Sequence, residues 1–153
     1  MKKIFSILLT VSLFLGLSTN VFAAIDEEHA EGLQLIDLAN LEIYEMIDQG
    51  VAEAAELQAT YHIELEKVEA KLESTTDDKE ESELNKEIDK LTKVYNKELD
   101  KIIHSVYKET LKLSKETIKE VAKYGIIAEC SWVAVEFADR TVMIDPLTVV
   151  GEN

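Results

Sequence analysis

The chain has 153 residues, with 16 Lys and Arg against 31 Asp and Glu, for a net charge of −15. Only five glycines and one proline occur, which argues against a loop-rich or all-β fold, while 46% apolar residues are enough for one core. A surface this acidic repels phosphate backbones, so no nucleic-acid partner is expected; basic proteins or cations fit better. The same acidity also serves an exported protein simply as a solubility device.

The first segment reads as an export signal. Met1-Lys2-Lys3 is a short cationic start, and Ile4 to Leu17 is apolar apart from Ser6, Thr10, Ser12 and Gly16. Polar Ser18-Thr19-Asn20 follows, and Val21-Phe22-Ala23 places acceptable residues three and one positions before a cut. A signal peptide over residues 1–23, cleaved after Ala23, is therefore expected, and with it a secreted or extracytoplasmic location. The apolar run is shorter than the roughly 20 residues a spanning helix needs, and the mature chain holds no longer one. No cysteine lies near the cut, so a lipid anchor is not expected. The lysine-bearing leader and lysine-rich composition are bacterial in character. Losing Lys2 and Lys3 takes the net charge from −15 to −17.

From Asp26 to Glu73 no proline occurs, and Tyr44, Ile47, Val51, Ala54, Tyr61, Leu65, Val68 and Leu72 follow three- and four-residue steps. That is heptad spacing, the seam of a coiled coil, with Gln58 as its one polar member. Gly50 interrupts it, and glycine costs about 1 kcal/mol against alanine in a helix, so a bend is expected there. Ser74 to Asp78 are cap and turn residues, which predicts a tight reversal.

A second helix is predicted from about Lys79 to Lys123. Its apolar positions step by eleven: Leu84, Tyr95, Val106, and again Leu91, Ile102, Leu113, Tyr124. Such a repeat averages about 3.67 residues per turn and keeps a helix straight. Folding back at Thr75–Thr76 sets Ile47 near His104 and Ser105. Residues 26–66 carry twelve acids and no Lys or Arg, whereas the second helix carries eleven lysines, so charge attraction between the helices is expected.

At the open end both helices hold a second apolar stripe, including Leu33, Ile36, Leu38, Leu41, Ile103, Tyr107, Leu111 and Ile118. Two helices cannot bury both stripes, so a third element must cover this end. Gly125 is a helix-stop glycine. Ile126 to Phe137 is β-branched and aromatic, Ala138-Asp139-Arg140 is a turn, Thr141 to Asp145 is a strand, and Asp145-Pro146 leads to a short strand at Thr148–Val150. The fold class is thus mainly α: a long, coiled-coil-like antiparallel two-helix hairpin (residues 24–125, turn near 74–78) with a small antiparallel β-meander (residues 126–153) on its open end.

No motif for chemistry emerges. His29, His62 and His104 have no second histidine or cysteine at ligand spacing, and there is no calcium loop, phosphate loop or nucleophile elbow. Neither an enzyme nor a metal or other cofactor is expected. Cys130 is the one cysteine, which points to a buried thiol or an intermolecular bond. Strand alternation puts Cys130 and Trp132 together, opposite Val133, Val135 and Phe137, as a candidate partner contact; the bland alternative buries both. The expected function is contact with another protein of basic character. Self-assembly as a homo-oligomer, or an acidic inhibitor or immunity-type role, are the other readings.

Overall fold

The computed structural model describes residues 21–152. The expected leader lies outside the described residues except for its last three, which begin the first helix. Helix α1 spans Val21–Ser74 and helix α2 spans Asp78–Val121, packed antiparallel. The reversal is Thr75–Asp77, where the Asp77 carboxylate accepts from the Lys79 and Glu80 amides at 2.8 and 3.0 Å. These are the orphan donors of a helix start, so the cap fixes where α2 begins.

The buried face of α1 steps through Gly32, Ile36, Ala39, Ile43, Ile47, Gly50 and Ala54. Those steps average 3.67 rather than 3.5 residues per turn, so α1 shares the eleven-residue period of α2. The heptad reading is corrected here: Tyr44 is exposed and Val51 is only half-buried. Helix α1 is also uninterrupted at Gly50. A Cβ at that position would collide with Val106 Cγ2 and meet the Phe137 ring at 3.1 Å, so the missing side chain lets α2 and the tail approach. Gly50 facing Val106 also shifts the pairing by about one helical turn from the expected register. Nearer the reversal, the Tyr61 and Tyr95 rings stack at 4.5 Å and 14°.

Past α2 a 3-10 turn, Ala122–Tyr124, ends at Gly125 in the left-handed region (φ 74°). Strands β1 (Ile126–Cys130), β2 (Val133–Phe137), β3 (Arg140–Ile144) and β4 (Leu147–Glu152) follow. Pairing is antiparallel and nested, β2 with β3 and β1 with β4. Cys130 pairs with Leu147 and Val133 with Ile144, so one register runs through both ladders up to a bulge at Ile127/Ala128. The tail is a long two-stranded ribbon, interrupted at Ser131–Trp132 and Asp145–Pro146. It runs back along the open half of the hairpin, where a third helix would lie.

Two clusters form the core. Ile43, Ile47, Tyr95, Leu99 and Val106 close on Phe137 and Ile144; Ile36, Ala39 and Val121 close on Ile126 and Leu147. The ribbon therefore supplies the cover the apolar stripes require. It is partial: Ile103, Tyr107, Leu111 and Ile118 are half-buried, whereas Leu38 and Leu41 stay exposed.

The expected attraction between helices is not found. Among the described residues, no ion pair joins α1 to α2: the bridges lie within α2 or between it and the 3-10 turn, within the ribbon turn, between His29 and Glu152, and between Arg140 and Asp100. Apolar packing, not charge, holds the hairpin.

Candidate functional site: the solvent face of the ribbon

Alternation sets which ribbon residues meet the helices. Val133, Val135 and Phe137 turn inward, with Val142 and Ile144 as their partners. Ala134 and Met143, a cross-strand pair, point out. In β1 the inward residues are Ile126, Ala128 and Cys130, and the outward ones are Ile127 and Glu129. The phase changes at the interruption, because Ser131 and Trp132 leave the ladder.

This separates the two residues expected together. Cys130 is half-buried on the helix side, next to Ser114 and Asp145, and burial followed by the Asp145 charge pushes its thiol pKa up. Such a thiol is a poor nucleophile. Trp132 is 60% exposed on the solvent side. On the outer face of the ribbon, Ile127 of β1 and Met143 of β3 are 42% and 44% exposed. The outer face thus carries several exposed apolar side chains, with Glu129 lying between Ile127 and Trp132 along the chain and Glu136 beyond Ala134.

The other side of the interruption is fixed by polar bonds. Asn40 of α1 donates from Nδ2 to the Leu147 carbonyl at 2.9 Å and accepts the Leu147 amide on Oδ1 at 2.7 Å. Ser114 of α2 donates to the Asp145 carbonyl at 2.7 Å, and the Ser131 amide donates to the Pro146 carbonyl at 2.6 Å. Backbone groups of Ser131, Asp145, Pro146 and Leu147 at the interruption are thus taken up by both helices and by the ribbon itself. Asp145 is buried, and its Oδ1 has no hydrogen-bond partner. Burial raises its pKa, an effect partly offset by Lys115.

At the ribbon tip, Arg140 pairs with Asp100 and donates to Asn96 Oδ1 at 2.5 Å. Burial raises the Tyr95 phenol and the neighbouring Asp139 carboxylate adds to it, although no atom meets hydrogen-bond geometry with the hydroxyl. Ala138, the first turn residue, has φ 54°, a region alanine rarely occupies.

Of the histidines, His29 pairs with Glu152 at 3.1 Å. Among the described residues, no group of three or more His, Cys, Asp or Glu is placed to hold a metal ion. No described helix is long and apolar enough to cross a membrane.

The charged residues of both helices also keep the eleven-residue interval. The stretch Lys-Glu-x-x-Lys begins at Lys86, Lys97, Lys108 and Lys119, eleven residues apart. Its lysines are all exposed, on the side of α2 away from the buried row. In α1, Glu31, Glu42, Glu53 and Glu64 keep the same interval. The charged positions therefore repeat with the core, a pattern visible only once the charges are read on the eleven-residue period.

Compared with known proteins, the chain matches no family model, and neither a curated protein nor a solved structure is significantly similar to it.

Proposed function

We propose that this chain is a non-enzymatic, extracytoplasmic protein that works by contact with another protein through the outer face of its ribbon. The observation that carries the reading is Trp132: a large apolar ring, 60% exposed, at the break between β1 and β2, in a ribbon held to both helices through Leu147 and Asp145. Tryptophan is enriched at binding hot spots, and a fixed backbone limits the ordering cost of binding. Ile127 and Met143 add exposed apolar surface to the same face, and the outward Glu129 and Glu136 suit a basic partner.

The non-enzymatic part of the reading rests on the sequence, which carries no recognisable catalytic motif. Ser114 and Thr110 bond to backbone carbonyls, at Asp145 and Tyr107, and so support the ribbon and the helix. The export reading rests on the leader pattern of residues 1–23. The test is a photo-crosslinking side chain at position 132 in the producing cell, with position 79 as control; a discrete adduct formed only from 132 supports the reading, and equal labelling from both positions contradicts it.

A further inference from the structure

The hairpin has a second face, on which no described ribbon residue lines the space between the helices. At its open end a groove of about 360 Å³ runs between the helices, with Leu35, Leu38, Ala39 and Leu113 in it and Glu42, Glu116 and Glu120 along it. One step of the eleven-residue period further, Glu53 of α1 and Glu109 of α2 line the next stretch. Eleven residues are three helical turns, or about 16.5 Å, so acids recur along the groove at that interval. Closer to the reversal Lys67 and Lys71 join Glu64 and Glu87, so the surplus of acid ends there.

At the open end Lys112 and Lys123 pair with Glu116 and Glu120, whereas among the described residues Glu42, Glu53 and Glu109 have no ion-pair partner. The lysine row of α2 lies opposite the helix's buried face, and no ion pair crosses between the helices among the described residues. Facing glutamates over an apolar floor form a self-repelling arrangement that a positive, apolar-faced segment would relieve. The net charge of the chain favours the same ligand at long range. From Leu35 to Glu53 the floor runs about 27 Å, the length of roughly five helical turns.

We propose that this groove docks a cationic amphipathic helix of a partner protein, its apolar stripe on Leu35, Leu38 and Leu113 and its lysines or arginines flanking toward Glu42, Glu53 and Glu109. The site shares no residue with the Trp132 face, so the two readings stand or fall separately.

The test uses the mature chain and a synthetic helical peptide of two eleven-residue Leu/Lys repeats, with a Leu/Glu peptide of equal length as its counterpart. Binding is read by calorimetry and the fold of each variant by circular dichroism. The Leu/Lys peptide should bind and the Leu/Glu peptide should not. Affinity should fall by about tenfold or more for Leu38→Asp and for Glu42→Lys with Glu53→Lys. A control of identical net charge away from the groove, Glu73→Lys with Glu83→Lys, should cost much less. Equal losses in control and groove variants would reduce the effect to net charge and overturn the proposal, as would an unaffected Leu38→Asp. A wild-type chain that runs as a dimer in light scattering and excludes the peptide would place a second copy in the groove and overturn it as well.

Discussion

Asn40 and Leu147, more than a hundred residues apart, form a two-point amide pair in which the asparagine side chain does the work of a neighbouring strand. Replacing Asn40 with Leu would leave the Leu147 N–H and C=O without partners in a half-buried position. A buried backbone group stripped of its partner costs about 1–3 kcal/mol. We therefore expect Asn40→Leu to lower unfolding stability by roughly 2–4 kcal/mol, read by urea denaturation, with Asn40→Asp intermediate because it keeps only the acceptor.

Gly50→Ala sets helix propensity against packing. Propensity alone predicts a gain of about 1 kcal/mol. The added Cβ, however, must displace Val106 and crowd Phe137. Overpacking costs about 1–3 kcal/mol, so the net effect is expected to be destabilising. Thermal melts of the variant and wild type decide the sign.

Much of the architecture was legible before the structure: two helices, the reversal at Ser74–Asp78, the stop at Gly125 and the β tail are all written as cap, period and turn signals. What was missed has physical causes. The strand phase was carried straight through Ser131–Trp132, because alternation cannot show that two residues leave a ladder to bond elsewhere; this put Cys130 on the wrong side of Trp132. The seam of α1 was read on seven residues, since seven and eleven agree over short stretches and diverge only by Ile36 and Ile43. The charge argument failed because exposed lysines reach solvent more cheaply than they reach across a packed seam. Trp132 itself was visible as a candidate, whereas the glutamates of the groove were hidden among many acids.

Asp145 should give the protein a measurable pH dependence. Its carboxyl has a raised pKa in the folded chain, from burial. The folded state then holds the proton more tightly than the unfolded state, whose carboxyl stays near the usual value of about 3.9. The stability this confers is complete below that unfolded value and is lost as pH rises through the raised folded value. Asp145→Asn should be more stable than wild type at neutral pH, by roughly 1–2 kcal/mol, and the difference should shrink in acid. A pH series of denaturation midpoints for both proteins checks this.

At the ribbon tip, Ala138 sits at φ 54°. A left-handed conformation costs a residue with a Cβ roughly 1–2 kcal/mol, against which glycine loses some chain entropy on folding. Ala138→Gly should raise stability by up to about 1 kcal/mol, as measured in urea, and a loss would show that the turn is not strained.

Cys130 is expected to react slowly with thiol reagents in the folded state and at the rate of a free thiol in urea. Burial and the nearby Asp145 both disfavour its thiolate. Rates with an aromatic disulfide, followed by absorbance, give the comparison.

Of all these measurements, photo-crosslinking at position 132 tests the central claim most directly. With the crosslinker on the ribbon's outer face in the producing cell, the account predicts one discrete adduct that is lost when the probe sits at position 79. No adduct at 132, or the same adducts from both positions, would contradict a contact through the Trp132 face.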